Sequence, residues 1–184
     1  ALKSAMREAP DVILIGEILD LETMQDAIGY AETGHLCLAT LHSNNADQTM
    51  GRILNFFPES AHQQVLMELS INLGAIVSQR LVEGRDGRRV AATEVMINTP
   101  RVADLIRKGQ LHDIKEAMEN SLDSGMHTFD QSLYKLYKSG QIELEEALRK
   151  ADSRDGLSLK IRLSDDDSEE DESGLTQDVY SDQL

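Results

Sequence analysis

The stretch "DVILIGEILD", Asp11–Asp20, decides the fold predicted for this chain. Four apolar residues, Val12–Ile15, are rich in β-branched side chains and run directly into Gly16 and Glu17. A short, wholly apolar run of this kind predicts a strand buried on both faces, as in a parallel sheet. The sequence therefore predicts an α/β fold in which a carboxylate follows directly on a buried strand.

A helix and a second strand are predicted next along the chain. Asp20 is a suitable cap for a helix through about Glu32, and Gly34 closes it. The run "LCLATL", Leu36–Leu41, then repeats the apolar pattern of the first strand. Strand, helix and strand in this order predict a right-handed βαβ unit with two parallel strands.

The remaining elements are predicted from caps and spacing. Asn44 and Asn45 cap a helix to about Phe56, helical spacing continues over 61–79, and a β-hairpin turns at Gly84–Gly87. Residues 1–10 are interpreted as the end of a helix, and short helices are predicted near 101–108, 111–122, 128–138 and 143–150. The predicted divisions are an α/β core over 1–98, a helical subdomain packed on the sheet over 99–152, and a tail over 153–184.

Composition limits the classes of function. The 184 residues carry a net charge of −15, and the stretch 164–184 holds nine acidic residues without Lys or Arg. We expect a disordered tail there, either a solvated tail or one that binds a basic partner, and no nucleic-acid binding. The lone Cys37 fits a reducing compartment, and no run is long enough to span a membrane. Because the chain begins at Ala1 rather than Met, we expect it to be part of a longer protein.

Two polar residues mark the carboxyl ends of the predicted strands. Glu17 follows the first strand, and His42 follows the second, just after Thr40. Ligands of open α/β sheets bind at this edge, so we expect both side chains to face one crevice. The carboxylate could orient a water molecule, and the imidazole could hydrogen-bond a phosphate oxygen. The equally open alternative is that Glu17 is only a charge favoured by a helix N-terminus.

Two familiar kinds of site are not supported by the sequence. His35 lies seven residues before His42, at the opposite end of the second strand, and no third ligand has suitable spacing, so no metal site is predicted. No segment matches the phosphate-binding pattern GxxxxGK[ST]. A nucleotide-dependent activity therefore requires a loop from a segment upstream of these residues.

Four segments together resemble one family: "APDVILIGEILDLETM", "AETGHLCLATLHSNNA", "INTPRVADLIRKGQ" and "GMHTFDQSLYKLYKSGQI". They are similar to the secretion-type ATPases, and within these to the type IV pilus retraction motors of the PilT/PilU group, especially its PilU-like members. The resemblance covers about Ala1 to Asp152, in order. It implies the C-terminal part of a RecA-like P-loop ATPase core, assembled as a hexameric ring that hydrolyses ATP to drive pilus retraction and twitching motility.

The resemblance also implies roles for individual residues. Glu17 matches the catalytic glutamate after Walker B, and Gly16 stands where other P-loop ATPases have Asp. The two histidines of the family's His box match His35 and His42, of which only His42 is expected near the γ-phosphate; His35 is expected to be structural or at a subunit contact. The implied nucleotide-binding residues are Gly16, Thr40 and His42, and the implied retraction motif includes Val102, Leu105, Ile106 and Arg107.

Cofactors, partners and location are likewise implied by the resemblance. ATP and Mg²⁺ would be held mainly by the upstream segment, so this part alone is expected to be inactive. The expected assembly is a homo- or hetero-hexamer. It would lie in the cytoplasm at the inner-membrane base of the pilus, on the pilus platform protein, without inserting into the membrane.

Two departures from the family pattern leave alternatives open. Leu19 replaces an arginine, which suits a non-hydrolysing adaptor subunit as an alternative to a motor. Ala103 and Asp104 replace an arginine and an asparagine of the retraction motif. The helix carrying them could pack in the core or form a motor-specific contact surface. A pilus-assembly or type II secretion ATPase of the same superfamily is a further alternative.

Overall fold

The computed structural model describes residues 10–121 and 125–174. The predicted helix end at residues 1–9, the end of the helix predicted over 111–122, and the tail beyond residue 174 lie outside these ranges. The described strands are β1 (Val12–Ile15), β2 (Leu36–Ala39), β3 (Ala75–Glu83) and β4 (Arg89–Ile97). The described α-helices are α1 (Leu21–Glu32), α2 (Ala46–Leu54), α3 (His62–Asn72), α4 (Pro100–Lys108), α5 (Ile114–Glu119), α6 (Phe129–Lys138), α7 (Leu144–Lys150) and α8 (Arg154–Gly174).

The first sheet is the predicted parallel pair. Strands β1 and β2 lie side by side in the register that sets Val12 beside Leu36 and Ile15 beside Ala39. The ladder continues past the last paired residues, because the N–H of Ile18 donates to the carbonyl of Thr40 at 3.0 Å. The prediction of parallel neighbours is therefore confirmed, and both strands end at the same edge.

Among the described residues these strands are buried on one face only, and not on both as the sequence predicts. Val12 and Leu14 are 52% and 73% exposed, and Leu36 and Leu38 of β2 are also exposed, at 56% and 49%. Ile13 and Ile15 alternate with them on β1 and lie in the core. Alternate residues of a strand point to opposite faces. One face is thus covered by the packed core, whereas the described residues leave the apolar side chains of the other face open.

Helix α1 begins and ends as its sequence predicts. The side chain of Asp20 accepts a hydrogen bond from the N–H of Thr23 at 2.8 Å, which satisfies a donor at the helix N-terminus. This bond also lowers the pKa of Asp20. At the other end Gly34 has a φ of 90°, a left-handed conformation that glycine adopts without strain. The connection from β1 to β2 is therefore set by local chemistry.

The boundary between α3 and β3 differs from the prediction. Helical spacing predicts a helix through residue 79, but α3 ends at Asn72 and β3 begins at Ala75. Burial then alternates along β3, with Ile76, Ser78 and Val82 inward. Leu73 and Ile76 fit a helical face and a strand equally well over so short a distance. The predicted hairpin is present, and it is closed by a hydrogen bond from the N–H of Gly84 to the carbonyl of Arg88 at 2.8 Å.

Contacts divide the chain into two compact units. The first runs to Arg80 and resumes over Thr93–Thr128, and the second holds Leu81–Ala92 and the described residues from Phe129 onward. The predicted helical subdomain over 99–152 is thus split, since α4 and α5 belong to the first unit. Each unit has its own core: the first contains Met50, Met96, Leu105, Ile106 and Ile114, and the second contains Val82, Phe129, Leu133, Ile142 and Leu157.

Helix α8 occupies residues that the sequence assigned to a disordered tail. It begins at Arg154, and its Leu157 and Ile161 are 2% and 4% exposed in the core of the second unit. The acidic composition that predicts disorder starts only after this apolar pair, at residue 165. The packed part of the chain therefore extends past the predicted boundary at residue 153. Within the described ranges, no helix is long and apolar enough to cross a membrane.

Candidate functional site

The candidate site lies where β1 and β2 end together. Gly16 follows Ile15, and Thr40 follows its partner Ala39. The hydroxyl of Thr40 donates a hydrogen bond to the carbonyl oxygen of Gly16, so the two strand ends are joined by a side chain as well as by the ladder. This bond holds together the strand ends that lead to Glu17, directly after Gly16, and to His42, two residues after Thr40.

Glu17 and His42 meet at this edge. The Nε2 atom of His42 lies in hydrogen-bonding contact with Oε1 of Glu17. The Glu17 side chain is 38% exposed and that of His42 is 77% exposed, so both groups are open to water. A carboxylate beside an imidazole can orient a water molecule and take up or pass on its proton. The geometry brings the two sequence-predicted residues together.

Other acidic residues occupy the cap and the first turn of α1. Asp20 is the N-cap of α1, and Glu22 is the acidic residue of its first turn. Glu17 precedes the cap by three residues and contacts His42 instead. The carboxylate is therefore not needed to cap the helix.

His35 lies at the opposite end of β2, as the sequence predicts. Its Nδ1 atom is 2.9 Å from the hydroxyl of Thr33 and 3.3 Å from the carbonyl oxygen of Tyr30. These contacts tie the ring to the turn between α1 and β2. His35 is therefore placed to stabilise this turn, and the structure does not bring it to Glu17.

The helix of the implied retraction motif has two different faces. Val102, Leu105 and Ile106 are at most 1% exposed and belong to the core of the first unit, where α4 packs against α3. On the other face, carboxylate oxygens of Asp104 lie 2.6 Å from Arg107 Nη2 and 2.6 Å from Lys108 Nζ. Hydrogen bonds from Lys108 and Arg107 lower the pKa of Asp104. The apolar residues of the motif are therefore core residues, and Arg107 remains on the surface.

Leu19, the departure from the family pattern, is 63% exposed. Its neighbour Ile18 is 2% exposed and packs in the core, so the chain turns between an inward and an outward residue. Packing among the described residues does not require a leucine here.

Sequence reasoning missed Glu94. This carboxylate sits in the inward row of β4 between Ala92 and Met96, is 4% exposed, and accepts a hydrogen bond from the N–H of Ala46 at 2.7 Å. The signal in the sequence was a charged residue at an inward position of a strand in which buried and exposed residues alternate. Burying such a charge is costly unless it is hydrogen-bonded, so its presence there indicates a hydrogen-bond partner.

Comparisons with known proteins agree with this fold. The family model described as "Type II/IV secretion system protein" matches residues 1–94. The chain is 54% identical over 178 residues to the type IV pilus ATPase PilU of Pseudomonas aeruginosa, covering 96% of this chain and 47% of the relative. It is 42% identical over 151 residues to the retraction ATPase PilT of the same organism, covering 82% of this chain and 44% of the relative.

A solved structure extends the likeness to three dimensions. The chain superposes on a crystal structure of the pilus retraction motor PilT with bound ADP with a TM-score of 0.78 and 43% identity, covering 85% of this chain and 44% of that one. The chain thus spans about half the length of the relatives it matches. Since the family model covers more than half of its residues, including Glu17 and His42, the chain belongs to the type II/IV secretion system protein family and is similar within it to the pilus ATPases of the PilT/PilU group.

Proposed function

We propose that this chain is the C-terminal, RecA-like part of an ATP-hydrolysing subunit of a type IV pilus retraction motor. The observation that carries the proposal is the contact between Glu17 and His42 at the shared end of two parallel strands. Both groups suit the hydrolysis of a phosphoanhydride, in which water attacks the terminal phosphorus and the bond to ADP breaks. The names of the relatives supply the direction of the motor, which is retraction.

Glu17 is the proposed base of this reaction. Its carboxylate would accept a hydrogen bond from the attacking water, orient the water's lone pair and take up the proton as the new P–O bond forms. His42 would hydrogen-bond a terminal phosphate oxygen and, through its contact with Glu17, link the state of the phosphate to the position of the base. Thr40 would hold the two strand ends in register through its bond to Gly16.

Open space at the edge of the sheet supports the proposal of a nucleotide site. A Cβ built at Gly16 meets nothing within 4 Å, so the described residues leave open space beside the carboxylate and the imidazole. ATP would supply the phosphoryl group, and Mg²⁺ would neutralise its charge. No GxxxxGK[ST] segment occurs in the sequence, so we place the phosphate-binding loop and the ligands of Mg²⁺ outside it. The 184 residues alone should therefore bind ATP weakly and hydrolyse none.

The assembly is proposed on the same basis. We expect a ring of six subunits, alone or mixed with a second retraction ATPase, in the cytoplasm at the membrane base of the pilus. There the ring would act on the pilus platform protein. Mass measurement of the full-length protein with ATP, alone and with the second ATPase, distinguishes a homohexamer from a mixed ring.

The proposed activity is tested with the full-length protein and a matched pair of variants. Glu17→Gln keeps the side-chain shape but removes the base, so we expect ATP turnover to fall by at least about 100-fold while ATP still binds. Glu22→Gln is the control, because Glu22 is an exposed acid in the first turn of the neighbouring helix. Turnover in Glu17→Gln equal to that of the control would refute the role of Glu17.

One observation favours a second function, that of a non-hydrolysing adaptor. Leu19 presents an exposed apolar side chain where the family pattern has arginine, which removes a charge that could contact a neighbouring subunit or phosphate. An adaptor would stimulate a partner ATPase without turnover of its own. Turnover of the purified full-length protein, measured with and without the partner, separates the two functions.

A further inference from the structure

The buried carboxylate of Glu94 lies at the start of α2. Its Oε1 atom accepts a hydrogen bond at 2.7 Å from the N–H of Ala46, the first residue of that helix. The first N–H groups of a helix have no partner within the helix, and a negative charge is favoured there. Glu94 is only 4% exposed, and its sequence separation from Ala46 is 48 residues. A long-range contact therefore joins the start of α2 to β4, in addition to the local cap that Asn45 provides.

The residues between His42 and α2 are held by further hydrogen bonds. Asn45 Oδ1 accepts from the N–H of Gln48 at 2.9 Å, and the hydroxyls of Ser43 and Thr49 lie 2.6 Å apart. These bonds are local and fold the segment onto its own helix. Arg80 of β3 donates from Nη2 to the carbonyl oxygen of Asn44 at 3.2 Å. The hairpin thus reaches this segment from both strands, through Arg80 and Glu94.

His42 itself has little support from packing. Its side chain is 77% exposed, and its contact with Glu17 is to a residue that is also open to solvent. The backbone at His42 is held on one side by the bonds of Thr40 to Gly16 and Ile18, and on the other side by the four residues that follow it. A displacement of about 1 Å in a catalytic group can reduce a rate about 100-fold.

We propose that Glu94 is a positioning residue that holds His42 at the site by anchoring the start of α2. The inference rests on the proposed function of Glu17 and His42. Without the carboxylate, the N–H of Ala46 loses its buried partner, and the 43–46 segment is left to its local bonds and to Arg80. The resulting shift moves the imidazole away from Glu17.

A purely structural role for Glu94 makes a different prediction. A buried carboxylate that only caps α2 would lower the melting temperature when removed, but the kinetics of the folded protein would be unchanged. Glu146 provides a control for that role. It is also buried, at 8% exposure, and its Oε1 accepts a backbone N–H, that of Glu83, at 3.0 Å in the second unit.

The experiment uses the full-length protein with three substitutions of Glu94. Glu94→Gln keeps an oxygen at the same reach, Glu94→Asp keeps the charge but shortens the reach, and Glu94→Ala removes both. Well below the melting temperature, we expect kcat for ATP to fall at least about tenfold in Glu94→Ala, less in Glu94→Asp, and about twofold or less in Glu94→Gln. The KM for ATP should change less than kcat, because the phosphate-binding loop that we place outside this sequence would hold most of the nucleotide. Glu146→Ala should lose stability with an unchanged kcat.

Hydrogen exchange provides a readout that needs no ATP. Amide exchange over residues 42–48 should accelerate severalfold in Glu94→Ala and stay near the wild-type rate in Glu94→Gln. Faster exchange with a wild-type kcat would overturn the inference and leave the proposed function standing. If Glu94→Ala does not fold, a wild-type kcat in Glu94→Asp, despite faster exchange, would overturn it equally.

A different result, unchanged ATP turnover in Glu17→Gln, would refute the proposed function. If the full-length protein hydrolyses no ATP, hydrogen exchange at the backbone amide of His42 decides whether Glu94 anchors this residue. An increase in Glu94→Ala would support an anchoring role, and no change would refute it.

Discussion

The hydroxyl of Thr40 bonds to the carbonyl oxygen of Gly16 across the ends of two parallel strands. This contact lies directly before Glu17 on one strand and two residues before His42 on the other. Together with the contact between Glu17 and His42, it ties the two halves of the candidate site together.

Removing the Thr40 hydroxyl should reduce the rate of ATP turnover more than it reduces the stability of the fold. Thr40→Val keeps the side-chain shape but loses a bond at an exposed position, where a hydrogen bond contributes about 0.5–1.5 kcal/mol. We expect a small fall in melting temperature and a fall in kcat of the full-length protein of about tenfold. Thr40→Ser keeps the hydroxyl and serves as the control. Equal rates in the two variants would contradict a role for the bond.

We expect Gly16 to be needed for ligand binding rather than for the stability of the fold. Its φ lies outside the left-handed region, and an added Cβ meets nothing within 4 Å. Gly16→Ala should therefore leave the free energy of unfolding unchanged or raise it by up to about 1 kcal/mol. ATP binding by the full-length protein should weaken, because the methyl group occupies the space proposed for the nucleotide.

A second glycine provides the control for this prediction. Gly109 ends α4 with a φ of 71°, a conformation in which a side chain is strained. Gly109→Ala should lower the melting temperature while ATP affinity is retained. Unchanged ATP affinity in Gly16→Ala would show that the nucleotide does not approach Gly16.

Leu19→Arg restores the residue of the family pattern. Because Leu19 is 63% exposed, we expect the free energy of unfolding to stay within about 0.5 kcal/mol. If the missing charge limits catalysis or coupling between subunits, ATP turnover of the full-length protein should rise severalfold. Leu159→Arg is the control, since Leu159 is 59% exposed on α8. Equal turnover in wild type and both variants would remove Leu19 as an argument for the adaptor function.

Substitutions on the two faces of α4 should have different effects. A change on the buried face should reduce stability, whereas a change on the exposed face should affect the action of the motor. Leu105 is 1% exposed, and Leu105→Ala should lower the free energy of unfolding by about 2–5 kcal/mol. The Arg107 side chain is 55% exposed, so Arg107→Ala should leave the melting temperature nearly unchanged. If the exposed face is a motor contact, twitching motility should fall in a strain carrying Arg107→Ala. Normal motility at normal protein levels would show that the helix packs in the core and that its exposed face is not a motor contact.

The sequence predicted the features that depend on local chemistry. Asp20, Asn45 and Gly34 cap or end helices through bonds to residues a few positions away, and the strand, helix and strand order implies which edge Glu17 and His42 share. The roles of Glu17 and His42 stay predictions, because geometry alone does not demonstrate catalysis.

The features that the sequence did not predict depend on distant residues. Nothing near Val12 or Leu14 indicates that their side of β1 is left open, since an apolar run has the same pattern when covered on one face or on both. Ile76 fits a helix until the pairing of β3 with β4 selects a strand. Glu94 is separated from Ala46 by 48 residues, so no local pattern connects them.

The pH dependence of stability should include a contribution from Glu146 in the second unit. Burial alone would raise the pKa of this carboxyl, but hydrogen bonds from the N–H of Glu83 and from Arg149 outweigh it, and the pKa is lowered. A carboxyl with a lower pKa in the folded state stabilises the fold above its unfolded pKa of about 4.3. That contribution is lost as the pH falls through the folded value.

Glu146→Gln removes this titration while keeping an oxygen for the Glu83 N–H. Its free energy of unfolding should therefore be below that of the wild type at pH 7, and the difference should shrink as the pH falls below about 4. Denaturant unfolding of the 184-residue chain over this pH range measures the difference. Glu145→Gln is the matched control, because the neighbouring Glu145 is exposed. A difference for Glu146→Gln that stays constant with pH would show that packing, and not the charge, is what the carboxyl contributes.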